Sequence, residues 1–163
     1  MTSLMLVVSN TSPILNLAII NQLFLLQQQF GKVLIPKAVV EELKISENRP
    51  GSAIIQDAIT SGWIEVQEAH DQSLTRLLKQ TLDQGESEAI SLALELNADW
   101  ILLDEREGRK TAKSLGLQVT GILGILLRAE QDGQLESLPV AINNLIHQAG
   151  FRIAPDLLKQ ILE

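Results

Sequence analysis

The chain alternates between short apolar runs and longer segments in which apolar residues recur with helical spacing. The short runs predict β-strands at 4–9, 32–35, 63–67, 100–103 and 118–120. The helical spacing predicts helices at 12–19, 23–30, 36–43, 51–60, 71–82, 86–96, 107–115, 122–131, 138–148 and 155–162. Because strands and helices alternate, we predict an α/β fold: a three-layer sandwich in which helices flank a central parallel sheet.

Local signals sharpen two of these boundaries. Ser12 followed by Pro13 predicts a hydroxyl N-cap with proline at the first helical position. The polar segment 46–50 predicts a loop, and we expect it to be the most flexible part of the chain.

Length and composition predict one folding unit. The chain has 163 residues, of which 45% are hydrophobic, so it can bury a sizeable core as a single domain over 1–163. We find no internal repeat or linker, and we expect the C-terminal helices from about residue 137 to pack on the rest.

The residues that are missing exclude several chemistries. The chain has no cysteine, which excludes disulfides, zinc-thiolate sites and thiol nucleophiles. The apolar run from Leu4 to Val8 lacks a basic leader, and no apolar stretch reaches the roughly 18 residues of a membrane span. We therefore expect a soluble, cytoplasmic protein that does not contact a membrane.

Four residues that carry carboxylate or amide oxygens stand beside the apolar segments. Asn10 follows the first predicted strand and Asp104 follows the fourth, while Glu42 and Glu86 lie in predicted helices. Ligands of open α/β sheets bind beyond the carboxyl ends of the strands, where Asn10 and Asp104 both lie. Oxygen ligands from distant segments are what Mg²⁺ and Mn²⁺ prefer, so the pattern indicates phosphodiester hydrolysis.

Four segments of the chain together resemble the PIN domain, in the branch close to toxin ribonucleases of bacterial toxin-antitoxin systems. They are Val8-Ser9-Asn10-Thr11-Ser12-Pro13-Ile14-Leu15, Pro36-Lys37-Ala38-Val39-Val40-Glu41-Glu42-Leu43, Gly85-Glu86-Ser87-Glu88-Ala89-Ile90-Ser91-Leu92-Ala93 and Leu103-Asp104-Glu105-Arg106-Glu107-Gly108-Arg109. Each motif alone is weak, but the four occur in the family's order across nearly the first 125 residues.

The resemblance implies a Mg²⁺- or Mn²⁺-dependent endoribonuclease that cuts single-stranded or structured RNA. It implies metal and catalytic roles for Asn10, Glu42, Glu86 and Asp104, with Glu88 as a further candidate ligand. The chain departs from the family at Asn10, where the family typically has Asp. An amide oxygen can ligate a hard cation but brings no charge, so we expect weaker metal binding.

Substrate contacts are assigned to five polar residues near the same motifs. Hydroxyl groups at the first helix start would bond a phosphate oxygen, and cations on the helix after Asp104 would position RNA. These residues are Thr11, Ser12, Arg106, Arg109 and Lys110.

The overall charge opposes this hypothesis, and alternatives stay open. Thirteen Lys and Arg against 20 Asp and Glu give a formal charge of -7, the wrong sign for binding nucleic acid. The first alternative is a catalytically weakened PIN-like module that binds RNA or protein. A phosphotransfer domain fits less well, because the segment from Ser9 to Ser12 lacks a nucleophilic Asp.

Two protein partners are expected. The toxin-like resemblance implies an antitoxin that silences the enzyme. The apolar segment from Ile14 to Leu26 and the mean hydropathy of +0.15 predict a homodimer, since a symmetric partner covers excess apolar surface.

Overall fold

The computed structural model describes residues 5–162 as a five-stranded, all-parallel sheet between two layers of helices. The strands are β1 (Val7–Ser9), β2 (Val33–Ile35), β3 (Ile64–Val66), β4 (Trp100–Leu102) and β5 (Val119–Thr120). The helices are α1 (Thr11–Ile19), α2 (Phe24–Phe30), α3 (Lys37–Leu43), α4 (Ser52–Ser61), α5 (Gln72–Leu78), α6 (Gln84–Leu96), α7 (Arg106–Ser114), α8 (Ile122–Gln131), α9 (Leu138–His147) and α10 (Pro155–Leu162). The predicted three-layer α/β sandwich is confirmed.

The sheet runs in the order β3-β2-β1-β4-β5, with β1 at its centre. Side chains alternate across its two faces. Val7 and Leu102 belong to one buried cluster with α1, α2, α4, α8 and α9, whereas Val8 and Ile101 belong to a second cluster with α6. Because both faces of the sheet are covered, these strands are continuously apolar rather than alternating.

Two sequence predictions about helix boundaries are wrong. The N-cap of α1 is Asn10, whose extended backbone (φ -78°, ψ 177°) directly precedes the helix, so Ser12 is not the cap. Pro13 is tolerated in the first turn because the amide it lacks has no helical partner there. Helix α5 ends at Leu78 rather than residue 82, because residues 79–82 make tight turns that lead to α6.

Other differences are smaller. The predicted loop at 46–50 overlaps a short 3₁₀ helix at Ile45–Glu47. The first predicted strand begins at Leu4, which lies outside the described residues.

The segment that we expect a second copy to cover is instead buried within the chain. Ile14, Leu17 and Leu25 are fully buried in the core cluster that α9 also joins. The premise of the homodimer prediction therefore does not hold for this segment. No helix formed by residues 5–162 is both long enough and apolar enough to span a membrane.

The topology gathers helix N-termini at one edge of the sheet. Helices α1, α7 and α8 begin directly after the carboxyl ends of β1, β4 and β5. Helix α6 runs back toward the start of β4, so its N-terminus also lies at this edge. Unpaired backbone N–H groups and the helix dipoles favour anions there.

We expect Leu17→Ala to destabilise the protein by about 2–5 kcal/mol, because Leu17 is fully buried and its truncation leaves a cavity. Urea unfolding followed by circular dichroism measures this change. Leu77→Ala is the matched control, since Leu77 is 61% exposed and should shift stability by no more than about 0.5 kcal/mol. Equal losses in the two variants would contradict the assignment of the core.

Candidate functional site at the carboxyl edge of the sheet

Asn10 lies buried directly after β1 and contacts a carboxylate from the segment between β4 and α7. It is 3% exposed, and its Nδ2 donates to Glu105 Oε2 at 3.3 Å. Its Oδ1 atom is buried and has no hydrogen-bond partner. The bond to Glu105 therefore orients the amide and leaves a buried oxygen free for another ligand.

Asp104 connects two helices that begin at this edge. It accepts hydrogen bonds from Ser12 Oγ at 3.1 Å and from the backbone N–H of Ile122 at 2.8 Å. Burial raises the pKa of Asp104 above its ordinary value, and these two bonds offset part of that rise. Gly121 passes so close that a Cβ there would lie 2.6 Å from Asp104 Oδ1, so only glycine fits.

Glu86 is a nearly buried carboxylate in the first turn of α6. It forms a capping box with Asp83: Glu86 N donates to Asp83 Oδ1 at 2.8 Å, and Asp83 N donates to Glu86 Oε1 at 3.4 Å. Its second oxygen, Oε2, is buried without a partner. A Cβ at Gly108 would lie 2.5 Å from that oxygen, so the glycine gives it room.

The environment of Glu86 disfavours its charge. Burial, with a smaller contribution from the nearby carboxylates of Asp83 and Glu105, raises the pKa of Glu86 to about 7. The predicted capping role of Glu86 and a role as a ligand are thus compatible, because each uses a different oxygen.

Glu42 is an exposed residue that is fixed by neighbours on both sides. It accepts from Thr11 Oγ1 at 2.5 Å and from the backbone N–H of Gly85 at 3.1 Å. A Cβ at Gly85 would lie within 2.5 Å of Glu42 Oε2. Glu42 is therefore hydrogen-bonded to the first turns of α1 and α6, where Ser12 and Glu86 also lie.

The remaining predicted site residues divide into three groups. Arg109 donates to the carbonyl of Leu103 at 2.8 Å, beside Asp104. Arg106 and Lys110 are exposed on α7. Glu88 accepts from Ala38 N at 3.1 Å and also bonds Gln84, so it serves the N-terminus of α3.

Sequence reasoning missed Glu105. Its carboxylate contacts Asn10, and its charge acts on both Glu86 and Asp104. The available signal was a second acid directly after a candidate ligand at a strand end. Its significance depends on the approach of β1 to β4, which the sequence does not show.

The carboxylate and amide oxygens at this edge are the type of ligand that a hard divalent cation prefers. Within residues 5–162, no group of three or more His, Cys, Asp or Glu side chains is arranged to hold a metal ion. Glu42 and Asp104 already accept two hydrogen bonds each, which directs their oxygens to protein donors. Asn10 Oδ1 and Glu86 Oε2 are free and are of the oxygen type that Mg²⁺ and Mn²⁺ prefer.

Comparisons with known proteins agree with this fold. The PIN domain family model matches residues 6–163, nearly the whole chain, so the chain belongs to the PIN domain family. PIN domains are a nuclease-type superfamily and generally depend on divalent metals. The predicted family is confirmed.

A solved structure shows the same fold. It is a PilT N-terminus domain protein from the hyperthermophilic archaeon Sulfolobus solfataricus, 22% identical, with a TM-score of 0.50. The match covers 82% of this chain and 96% of that one. No curated protein matches the chain.

We expect metal-free protein to lose stability as the pH rises from about 4.5 to about 7. The folded state raises the pKa of Glu86 from 4.5 to about 7, so it binds that proton more tightly than the unfolded chain does. Glu86→Gln removes the cost of burying the charged carboxylate. At about pH 8 its free energy of unfolding should exceed that of the parent by about 1–3 kcal/mol, and at about pH 4.5 the two should differ little. Thermal melts in a chelator measure this, with exposed Glu130→Gln as the control. An unchanged pH dependence in Glu86→Gln would contradict it.

Proposed function

We propose that this protein is a metal-dependent endoribonuclease, toxin-like, that hydrolyses phosphodiester bonds of RNA with Mg²⁺ or Mn²⁺. The observation that carries the proposal is that Asn10 Oδ1 and Glu86 Oε2, two of the four buried side-chain atoms without partners among residues 5–162, both belong to this edge of the sheet. Unpartnered buried polar atoms are rare and costly, so their presence points to a ligand. Asp104 and Glu105 border the same edge.

The charge arrangement supports a cation at this position. Glu86 itself is buried, and it lies within the field of two exposed carboxylates, Asp83 and Glu105. When bound, a divalent cation supplies positive charge that polarises the phosphate and lowers the pKa of a water for in-line attack.

Glu105 compensates for the departure at Asn10. The family pattern has an acid at position 10, and here the amide brings none. The carboxylate of Glu105 lies 3.3 Å from the amide nitrogen of Asn10, so it restores negative charge beside position 10. We assign Glu105 as part of the site together with Asn10, Glu42, Glu86 and Asp104.

The hydroxyls at the start of α1 orient carboxylates in this site. Thr11 donates to Glu42 and Ser12 donates to Asp104. Both protons are thereby committed to carboxylates, so we assign Thr11 and Ser12 primarily as positioning residues. Arg106 and Lys110 are exposed on α7 and can reach phosphates of a bound strand.

The second candidate function is a module that binds RNA or protein without cutting. Two observations favour it: Asn10 lacks the family's charge, and no three-acid metal cluster forms among the described residues. Cleavage in Mn²⁺ distinguishes the two functions directly.

An antitoxin and a homodimer stay predictions. Phe24 (43% exposed), an exposed residue of segment 14–26, lines one cavity with Val140 (57% exposed), and these two residues are the apolar surface that we propose for a partner. Light scattering at micromolar concentration measures the dimer. A small neighbouring gene with a DNA-binding pattern would support the antitoxin.

We expect the parent to cleave a fluorescent single-stranded RNA in Mn²⁺, and Asp104→Ala and Glu105→Gln to lower kcat/KM by about 10²-fold or more, because each removes charge from the site. Glu136→Gln is the matched control, since Glu136 is exposed and lies on another face. Equal activity in all four preparations would indicate a contaminating nuclease. Absence of cleavage by the parent, with RNA still bound, would favour the binding module.

We expect Asn10→Asp to raise Mn²⁺ affinity and to lower the stability of the metal-free protein. The new carboxylate would lie about 3.3 Å from Glu105, so the two charges repel unless a cation neutralises them. Calorimetric Mn²⁺ titration and thermal melts measure the two effects. Asn143→Asp is the control, because it adds the same charge at an exposed position on α9. A melting temperature that falls equally in both variants would contradict the Asn10–Glu105 pairing.

A further inference from the structure

Two cavities lie on either side of the carboxylate site. We call the first the β3-side cavity: it has a volume of about 310 Å³ and is lined by Lys37, Arg76 and Lys79 together with Glu68 and Glu88. It lies beyond the carboxyl end of β2, where α3 begins, and beside the segment that follows β3.

The cations of the β3-side cavity are free to bind an anion. The ion pairs among residues 5–162 involve none of Lys37, Arg76 and Lys79. Glu88, one of the two acids in this cavity, is bound to the backbone N–H of Ala38 and to Gln84. Three cations against two acids leave this cavity with one net positive charge, in a chain whose formal charge is -7.

The β3-side cavity borders the carboxylate site. Gln84 lines the cavity, and the next residue, Gly85, donates its N–H to Glu42. Lys37 and Glu42 also belong to the same helix, α3. Phosphates that lie in the cavity would thus lie beside the carboxylates.

The second cavity, the β5-side cavity, opens from the opposite side of the site. It has a volume of about 430 Å³, with Asp104 and Arg109 at one end and Phe151 and Arg152 among its other lining residues. That volume falls in the range that holds a small ligand such as one nucleotide. Phe151 is half-buried, and aromatic rings of this kind stack on bases.

The strand order sets the order of these features across the sheet. The β3-side cavity lies toward β2 and β3, the carboxylates follow β1 and β4, and the β5-side cavity lies beside β4 and β5. Five parallel strands span about 19 Å, since neighbours lie about 4.8 Å apart. A single strand that crosses the edge must cover a distance of this order.

We propose that single-stranded RNA crosses the carboxyl edge of the sheet from one cavity to the other. Backbone phosphates lie against Lys37, Arg76 and Lys79, and one nucleotide occupies the β5-side cavity with its base on Phe151 and its phosphate near Arg109. This inference rests on the proposed function, since it names how that site holds its substrate. It also explains how an acidic protein binds RNA: the positive charge is concentrated beside the site.

The first test measures binding to a fluorescent single-stranded RNA by the full chain carrying Glu86→Gln, in chelator, over a range of salt concentrations. Adding Arg76→Ala with Lys79→Ala should reduce the slope of log affinity against log salt by about 1.4, or 0.7 per lost phosphate contact. The matched control is Lys32→Ala with Arg128→Ala, which removes the same charge from cations already paired with Glu65 and Asp132. The same slope change in both pairs would overturn the β3-side subsite.

The second test addresses the β5-side cavity. Phe151→Leu keeps an apolar side chain against the core but removes the aromatic face, so it should weaken RNA binding about tenfold with an unchanged melting temperature. Binding equal to that of the parent background would overturn the nucleotide subsite. Equal competition by polyglutamate and by RNA would show that an acidic protein segment is the ligand instead.

The outcomes separate this inference from the proposed function. Cleavage by the parent, with salt slopes that do not distinguish the two cation pairs, would overturn the inference and leave the nuclease proposal intact. Binding that depends on Arg76 and Lys79 without cleavage in Mn²⁺ would support the path and overturn the nuclease proposal.

Discussion

The site depends on how Asp104 is held between two helices. Its carboxylate accepts from Ser12 in α1 and from the first backbone amide of α8, at Ile122, so it joins elements that follow β1 and β5. These bonds supply the compensation that a largely buried carboxylate needs. They also fix the spacing of the helix starts around Asn10 and Glu86. Without these two hydrogen bonds, the other oxygen atoms of the edge would no longer be held in fixed positions relative to one another.

Charge is the second constraint on this edge. Burial raises the pKa values of Glu86 and Asp104, and the charge of Glu105 adds to both rises. A fourth acid at position 10 would add to this repulsion in the metal-free protein. Asn10 relieves it by donating to Glu105 while keeping a free oxygen. The departure from the family pattern and the neighbouring acid are thus two parts of one arrangement.

The proposed role in binding RNA requires this acidic protein to separate its charges in space. Acids that would repel the phosphate backbone are confined at the edge to positions where helix N-termini and protein donors surround them. Unpaired cations line the cavity beside them, whereas Lys32 and Arg128 are paired with acids elsewhere. The total charge therefore does not determine which ligand approaches the site. The local distribution of charge determines this.

The sequence by itself determined the layered α/β fold and named four of the five residues of the proposed site, because apolar periodicity and motif order are local properties of the chain. It did not determine the N-cap of α1 or the importance of Glu105. Glu105 reads as an ordinary helix-start acid until parallel pairing of β1 with β4 brings it to Asn10. Only the tertiary structure decided which oxygens are free, which are bonded and which cations share a cavity. These properties depend on contacts between residues up to 95 positions apart, and no local pattern records them.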